Sequence, residues 1–327
     1  MAQMKAIVAE QPGEPEVLRY VDVERPAPRE WEVLIGVEAA GINYADTMRR
    51  RDRYLTRQGF PFTPGSEVAG TVIEVGDGVE NASEGDRVVT LIDAGGYADF
   101  AVAPAASLIP MPENLGFDEA AAVPLQGLTA YHILKTSGAL KEGESVLVHA
   151  AAGGVGSLAV QMAKLLGAGR VIATASSPEK LDLARSLGAD ALIDYTQEDW
   201  PQKVREATDG DGADVILEMV GADFPEKNLQ CLATFGRMVV FGAASGDRGN
   251  LVPGDLMTGC HSVVGFWLIP ITQRPDLFVP SLEETLAWID SGALKLTIGA
   301  TYPLEKAAEA HADLEGRKTT GKLVLKP

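Results

Sequence analysis

Cysteine is nearly absent: the 327 residues contain two. Two thiols cannot supply a disulfide framework, so this is not a small secreted scaffold stapled by bridges. No stretch approaches the ~18 consecutive apolar residues of a membrane helix. The opening MAQMKAIVAEQPG carries Lys5 with no apolar run behind it, so no signal peptide is expected. Positive charge is also in deficit, with 28 Lys and Arg against 46 Asp and Glu and a net charge of −18. A solvated surface of that sign repels phosphate backbones and anionic lipid, which argues against nucleic acid and membranes as partners. Together these absences point to a cytoplasmic protein.

What is present is ordinary globular text, 46% hydrophobic and 23% charged. Its length favours two domains over one core. The first third alternates in short segments at 33–39, 68–75, 87–91 and 97–102, broken by Gly-Asp-Gly at 76–78 and Glu-Gly-Asp at 84–86. That spacing predicts a small β-barrel or sandwich. An Ala-rich helical stretch follows over 117–134, and from Glu144 strand and helix alternate. Strands are expected at 145–150, 170–175, 191–194, 214–219, 237–241 and 263–268. Helices are expected at 156–166, closed by Gly167, and after Ser177, an N-cap with Pro178 at the first helical position and Gly188 as terminator. Such alternation means a parallel sheet covered by helices on both faces. Beyond Pro270 a helix at 281–291, a strand at 298–302, a helix at 304–314 and a strand at 322–325 are too little for a third domain. They are expected to rejoin the first one.

The central motif is Ser-Val-Leu-Val-His-Ala-Ala-Ala-Gly-Gly-Val-Gly at 145–156. A glycine turn between strand and helix lets backbone N–H groups approach a pyrophosphate at the positive end of the helix dipole. Gly153 is the expected close-approach position, Gly154 and Val155 continue the turn, and Gly156 packs helix against strand. Ala151 replaces the usual first glycine. The plainer alternative is a tight turn that only packs a helix, but its place at the head of a βαβ unit favours a dinucleotide. An NAD site wants an acid about 20 residues on, at the end of the second strand. That end reads Thr174-Ala175-Ser176-Ser177-Pro178, with Lys180 one turn later. Ser176 and Lys180 suit a 2′-phosphate, so NADPH is the expected cofactor, unless Lys180 is simply a solvent-facing helix lysine.

Read in order, Gly41-Ile-Asn-Tyr-Ala-Asp46, Pro64-Gly-Ser-Glu-Val-Ala-Gly70, Gly127-Leu-Thr-Ala-Tyr131, the glycine turn, Gly265-Phe-Trp-Leu268 and Thr320-Gly-Lys322 run nearly end to end. In this series the chain resembles the medium-chain dehydrogenase/reductase superfamily, and within it the zinc-independent quinone oxidoreductases. The resemblance implies an α/β protein in which a GroES-like β-barrel catalytic domain, 1–124 and 269–327, carries an inserted Rossmann-type doubly wound parallel-sheet domain, 125–268, with a cleft between them. It implies that Asn43, Asp46 and Tyr54 line the nicotinamide end and that Thr129 touches the nicotinamide. Tyr195 and Lys180 would hold the adenosine-phosphate end. Phe241, Phe266, Trp267 and Leu268 would cover the cofactor's other face, and Lys322 would reach it from the last strand. Met48 stands where some relatives carry a second tyrosine. Tyr44 could compensate, or strand-like alternation could turn it into the core. Relatives pair through the strand near 261–268 across a two-fold axis, so a homodimer or homotetramer is implied.

Zinc-dependent relatives place a cysteine where Asn43 stands, Gly-His-Glu where Gly65-Ser66-Glu67 stands, and a four-cysteine lobe near 91–97. Here Cys231 and Cys260 fall in the nucleotide half, and neither a catalytic nor a structural zinc is expected. His149, before the glycine turn, reads as a structural histidine. Without such a Lewis acid, simple alcohol oxidation is disfavoured and an acceptor already primed for hydride is preferred. A quinone gains aromaticity on reduction, so the protein needs mainly orientation and a donor to the oxyanion, here Tyr54 or Asn43, with solvent supplying the proton. Two alternatives remain: an enal, enone or enoyl double-bond reductase, and a non-catalytic NADPH-binding protein.

Overall fold

The chain folds into two units, one built from residues up to Leu125 together with Thr297–Pro327, the other from Gln126–Leu296. A computed structural model describes residues 2–327. Among them no helix is long and apolar enough to cross a membrane.

In the first unit the long strand Glu32–Ile42 is the organiser. Its first half pairs with Phe100–Pro104 (Glu32 opposite Pro104) and its end with Lys322–Lys326 (Ile42 opposite Leu323). Along its other side lies Glu67–Val75, followed by Arg87–Leu91 and Leu108–Pro110. Ile298–Pro303 closes the order as a parallel partner of Lys322–Lys326, joined to it through the helix Ala307–Glu315. This is how the tail rejoins the first unit. An antiparallel hairpin, Gln3–Ala9 with Leu18–Glu24, attaches through the bridges Ala6–Ala98 and Ala9–Phe62. Ile7, Val33, Ile35, Val68, Val72, Leu323 and Leu325 fill the core. The strand expected at 97–102 begins later, at Phe100, and leaves Tyr97 as a fully buried polar tip.

The second unit is a parallel sheet in the order Ala191–Asp194, Arg170–Ala175, Ser145–Val148, Ala213–Glu218, Leu232–Val240, Ser262–Gly265. Its central strands are largely apolar because helices cover both faces there. Val146, Val148, Val171, Val215 and Leu217 face Leu158 and Met162 on one side. Leu147, Ile172, Ile216 and Met238 face Trp200 and Val204 on the other.

Four further expectations are corrected. The return to the first unit falls at Thr297, not 269, because the intervening segment is fastened to the second unit. Glu284 accepts hydrogen bonds from Tyr131 and Lys135, Ser281 accepts one from His132 at 3.0 Å, and Gln161 exchanges two with the Lys295 backbone. The helix expected at 281–291 starts six residues earlier and spans Pro275–Asp290. Pro280 argues for a start beyond it, since an interior proline costs about 3 kcal/mol, yet the helix runs through. The strand expected to reach 268 stops at Gly265, and Trp267 instead caps a short helix, Leu268–Thr272. Pro270 lies in that helix's first turn, where its missing N–H costs nothing. Finally, 117–134 is not one helix but the short helices Phe117–Ala120 and Leu128–His132 separated by the π-helical turn Val123–Gly127.

Candidate active site

Asn43 ends strand Glu32–Ile42 and caps the helix Tyr44–Arg50. Its backbone N–H donates to Asp46 Oδ2 at 2.8 Å, the reciprocal contact that opens the helix, so Tyr44 begins a helix rather than continuing a strand. Asp46 is 1% exposed and also accepts from Ser66 Oγ (3.3 Å) and Tyr97 Oη (3.2 Å). Burial raises its carboxyl above the ordinary value, although the Asn43 amide, Arg49, Lys322 and Tyr97 all favour the charged form. Behind Tyr97 stands His311, and Arg50 donates to its Nδ1 at 3.0 Å. Burial, aided by Arg50, pushes His311 down to about 3. It is therefore neutral, and with Nδ1 accepting, Nε2–H donates to the Tyr97 oxygen.

The Asn43 side chain is equally committed. Its Nδ2 donates to Glu67 Oε2 (3.1 Å) and the Gly41 carbonyl (3.4 Å), and its Oδ1 accepts from Lys322 Nζ at 2.9 Å. Both amide hydrogens expected to serve an oxyanion are thus engaged within the unit. Lys322, expected to reach the cofactor, is 1% exposed and places two of its three N–H donors on Asn43 and Glu67. Asp46, expected at the nicotinamide, is likewise turned inward. Tyr54 is different. It lies half-buried outside regular structure, with the Arg49 guanidinium 5.1 Å from its ring centroid. Met48 sits partly buried in the helix Tyr44–Arg50.

In the second unit the expected residues collect at the carboxyl ends of the strands. The strand order reverses between Ser145–Val148 and Ala213–Glu218, which is where such a sheet opens a crevice. After Val148 the backbone turns at Ala150 with φ +48°, and Gly153 caps the helix Gly154–Leu165. A Cβ on Gly156 would come 2.3 Å from the Ala150 carbonyl oxygen, so close packing of helix on turn demands glycine there. A Cβ on Gly153 would meet only that same oxygen, at 3.2 Å, and its φ of −78° is open to any residue. Little within the protein demands glycine at 153. The cradle suits a pyrophosphate approaching the backbone, and the helix end supplies N–H donors for it.

Ser176 follows strand Arg170–Ala175, and Ser177 Oγ accepts from the Lys180 N–H at 3.4 Å, placing Lys180 in the first turn of Pro178–Ser186. Tyr195 joins them, its N–H donating to the Ala175 carbonyl at 3.2 Å and its ring edge on Phe224. The nearby Asp194 turns its carboxylate onto Thr196 and Gln197, which hold it below the usual range. Phe241 and Phe266 directly follow strands Leu232–Val240 and Ser262–Gly265, their N–H groups donating to the Glu218 and Val240 carbonyls at 2.9 Å. Thr129 lies on Leu128–His132, which packs against the glycine-turn helix. Trp267 and Leu268 continue the same edge into the short helix.

Beneath the turn runs a buried chain with no local sequence signal. The Thr174 hydroxyl donates to His149 Nδ1, His149 Nε2–H donates to Asn228 Oδ1 (both 2.8 Å), and Asn228 Nδ2 donates to Glu218 Oε2. Glu218 Oε1 in turn accepts the Val220 and Gly221 N–H groups. Desolvation lowers His149, which supports the turn as a neutral, fully hydrogen-bonded residue. Among the described residues, no three His, Cys, Asp or Glu side chains are grouped to hold a metal ion.

Two family models match the chain: an alcohol dehydrogenase GroES-like domain over 29–113 and a zinc-binding dehydrogenase over 154–284. A Pseudomonas aeruginosa protein named quinone oxidoreductase is 39% identical over 317 residues, 96% of this chain and 97% of its own. The Escherichia coli quinone oxidoreductase, solved with NADPH, superposes with a TM-score of 0.93 at 36% identity, covering 100% of both chains. A mycobacterial protein solved with NADPH reaches a TM-score of 0.94 at 40% identity over 99% of this chain and 100% of that one. Sheet order, glycine turn and end-to-end similarity agree: the chain belongs to the quinone oxidoreductase family of the medium-chain dehydrogenase/reductase superfamily.

Proposed function

We propose that the chain is an NADPH-dependent oxidoreductase that reduces quinones or similar small conjugated carbonyls without zinc. The observation that carries this reading is the carboxyl edge of the parallel sheet. There a glycine cradle lies beside strand Arg170–Ala175, which ends without an acid and is followed by Ser176, Ser177 and Lys180, while Glu179 turns its carboxylate onto Ser177. The NADPH bound in two solved relatives supports the same cofactor here. Gly153, Gly154, Val155 and Gly156 would hold the pyrophosphate, with Ser176, Lys180 and Tyr195 at the 2′-phosphate. NADPH, when bound, supplies a hydride.

The chain's own part is orientation and electrostatics. With the Asn43 amide engaged on Glu67 and Gly41, we assign the hydrogen bond to the acceptor's developing oxyanion to Tyr54. Where zinc ligands would be needed the chain has Asn43 and Ser66, each hydrogen-bonded to a carboxylate, so no metal Lewis acid takes part. A quinone fits such a site because its reduced form is aromatic and solvent can supply the remaining proton. A cytoplasmic location belongs to the same proposal. Both cysteines are free, one of them exposed, as suits a reducing compartment.

A homodimer, or a multiple of one, is also proposed. Ser262–Gly265 is an end strand of the parallel sheet, and Phe235 and Met257 are 70% and 76% exposed. Light scattering at micromolar concentration should report at least twice the 34.6 kDa chain mass; a monomer would reject this assembly.

Lys180→Ala should weaken NADPH binding by about 1–3 kcal/mol, the range of charge-assisted hydrogen bonds, and leave NADH nearly unchanged. Equal loss for both cofactors would make Lys180 structural. Tyr54→Phe keeps the ring and deletes the donor. It should lower any 2-alkenal turnover by up to about 10²-fold and quinone turnover much less, with NADPH affinity unchanged. A loss of NADPH affinity instead would move Tyr54 into the cofactor site.

A further inference from the structure

The chain leaves the first unit after Leu125 and re-enters it at Thr297. One crossing bonds to the carboxylate of a buried ion pair, and the other to the backbone of its lysine. Lys322 Nζ lies 2.5 Å from Glu67 Oε2, and the two side chains are 1% and 0% exposed. The other carboxylate oxygen, Glu67 Oε1, accepts the Leu125 N–H at 2.7 Å. The Lys322 backbone N–H donates to the Thr297 carbonyl at 2.8 Å. Asn43 bridges the pair, donating to Glu67 Oε2 and accepting from Lys322 Nζ.

Glycines on both flanks serve this joint. A Cβ on Gly41 would lie 2.6 Å from Lys322 Cε and 2.7 Å from Glu67 Oε2. Gly321 has φ +55°, and its Cβ would fall 2.2 Å from the Thr297 carbonyl oxygen. Three motifs distant in sequence, at 41–46, 64–70 and 320–322, thus converge on one point.

We infer that Lys322 and Glu67 are positioning residues. They tie the Asn43 side chain and the two chain crossings to a single joint, so that a displacement of either crossing is felt at Asn43.

The neutral double variant Glu67→Gln/Lys322→Met tests this, since it avoids stranding one buried charge and keeps an acceptor for the Leu125 N–H. Hydrogen exchange should quicken at least tenfold at 121–127 and 297–299 and stay unchanged in strands Glu67–Val75 and Arg87–Leu91. Uniform acceleration, or none, would overturn the inference. The activity readout rests on the proposed oxidoreductase reading. There kcat should fall about 10- to 100-fold, the scale of a small misplacement at a reacting centre, with NADPH affinity within twofold. Lost NADPH affinity at intact kcat would make Lys322 a cofactor ligand instead, against the inference. Should the variant not fold, the wild type decides. The Leu125 and Lys322 amides should be among the slowest to exchange in their unit and should open together, and fast or independent exchange refutes the joint. Exchange needs no substrate, so it reports on the joint even if no acceptor is reduced.

Discussion

A lysine ammonium and a glutamate carboxylate removed from water must each be compensated, because their attraction alone seldom offsets the loss of hydration. Around Lys322 and Glu67 the compensation comes from Asn43 and the Leu125 N–H, and this requirement shapes much of the first unit. It holds the last strand against the end of Glu32–Ile42 and keeps residue 41 a glycine. It also engages the Asn43 amide on Glu67 and the Gly41 carbonyl. A second set, Asp46 with Tyr97, His311 and Arg50, anchors the following helix from its first turn to its last. The Arg50 guanidinium reaches Glu315 at 2.8 Å and so ties that helix to Ala307–Glu315.

The second unit follows a simpler rule. A parallel sheet gathers the loops that follow its strands along one edge, whatever their separation in sequence. Gly153, Ser176, Tyr195, Phe241 and Phe266 each follow a different strand, and the topology alone brings them together. The buried Thr174–His149–Asn228–Glu218 chain then braces that edge from below.

Strands at 87–91, 170–175 and 191–194 are legible in the sequence to the residue, because short apolar runs bounded by Gly, Pro or acidic turns leave little choice. The glycine turn is legible for the same local reason. What is not legible depends on partners far along the chain. Tyr97 and His311 are 214 residues apart, and nothing near either one announces their contact. The hydrogen-bond partners of Asn43 and Lys322 escape the sequence because a motif names the residues that meet, not which way each amide or ammonium points. The return at Thr297 lies later than composition suggests because Ser281 and Glu284 bond to Leu128–His132 and its extension, and Trp288, Ile289 and Leu294 pack into the second unit's core, contacts set by partners far along the chain.

Turnover by the intact wild-type chain tests the proposed oxidoreductase activity most directly. NADPH oxidation should be followed with 1,4-benzoquinone, with a 2-alkenal and with no acceptor, each in the presence of a metal chelator. Rapid quinone-dependent consumption, one NADPH per quinone and unaffected by the chelator, is the expected result. Consumption that no acceptor stimulates, or that the chelator abolishes and zinc restores, would contradict it.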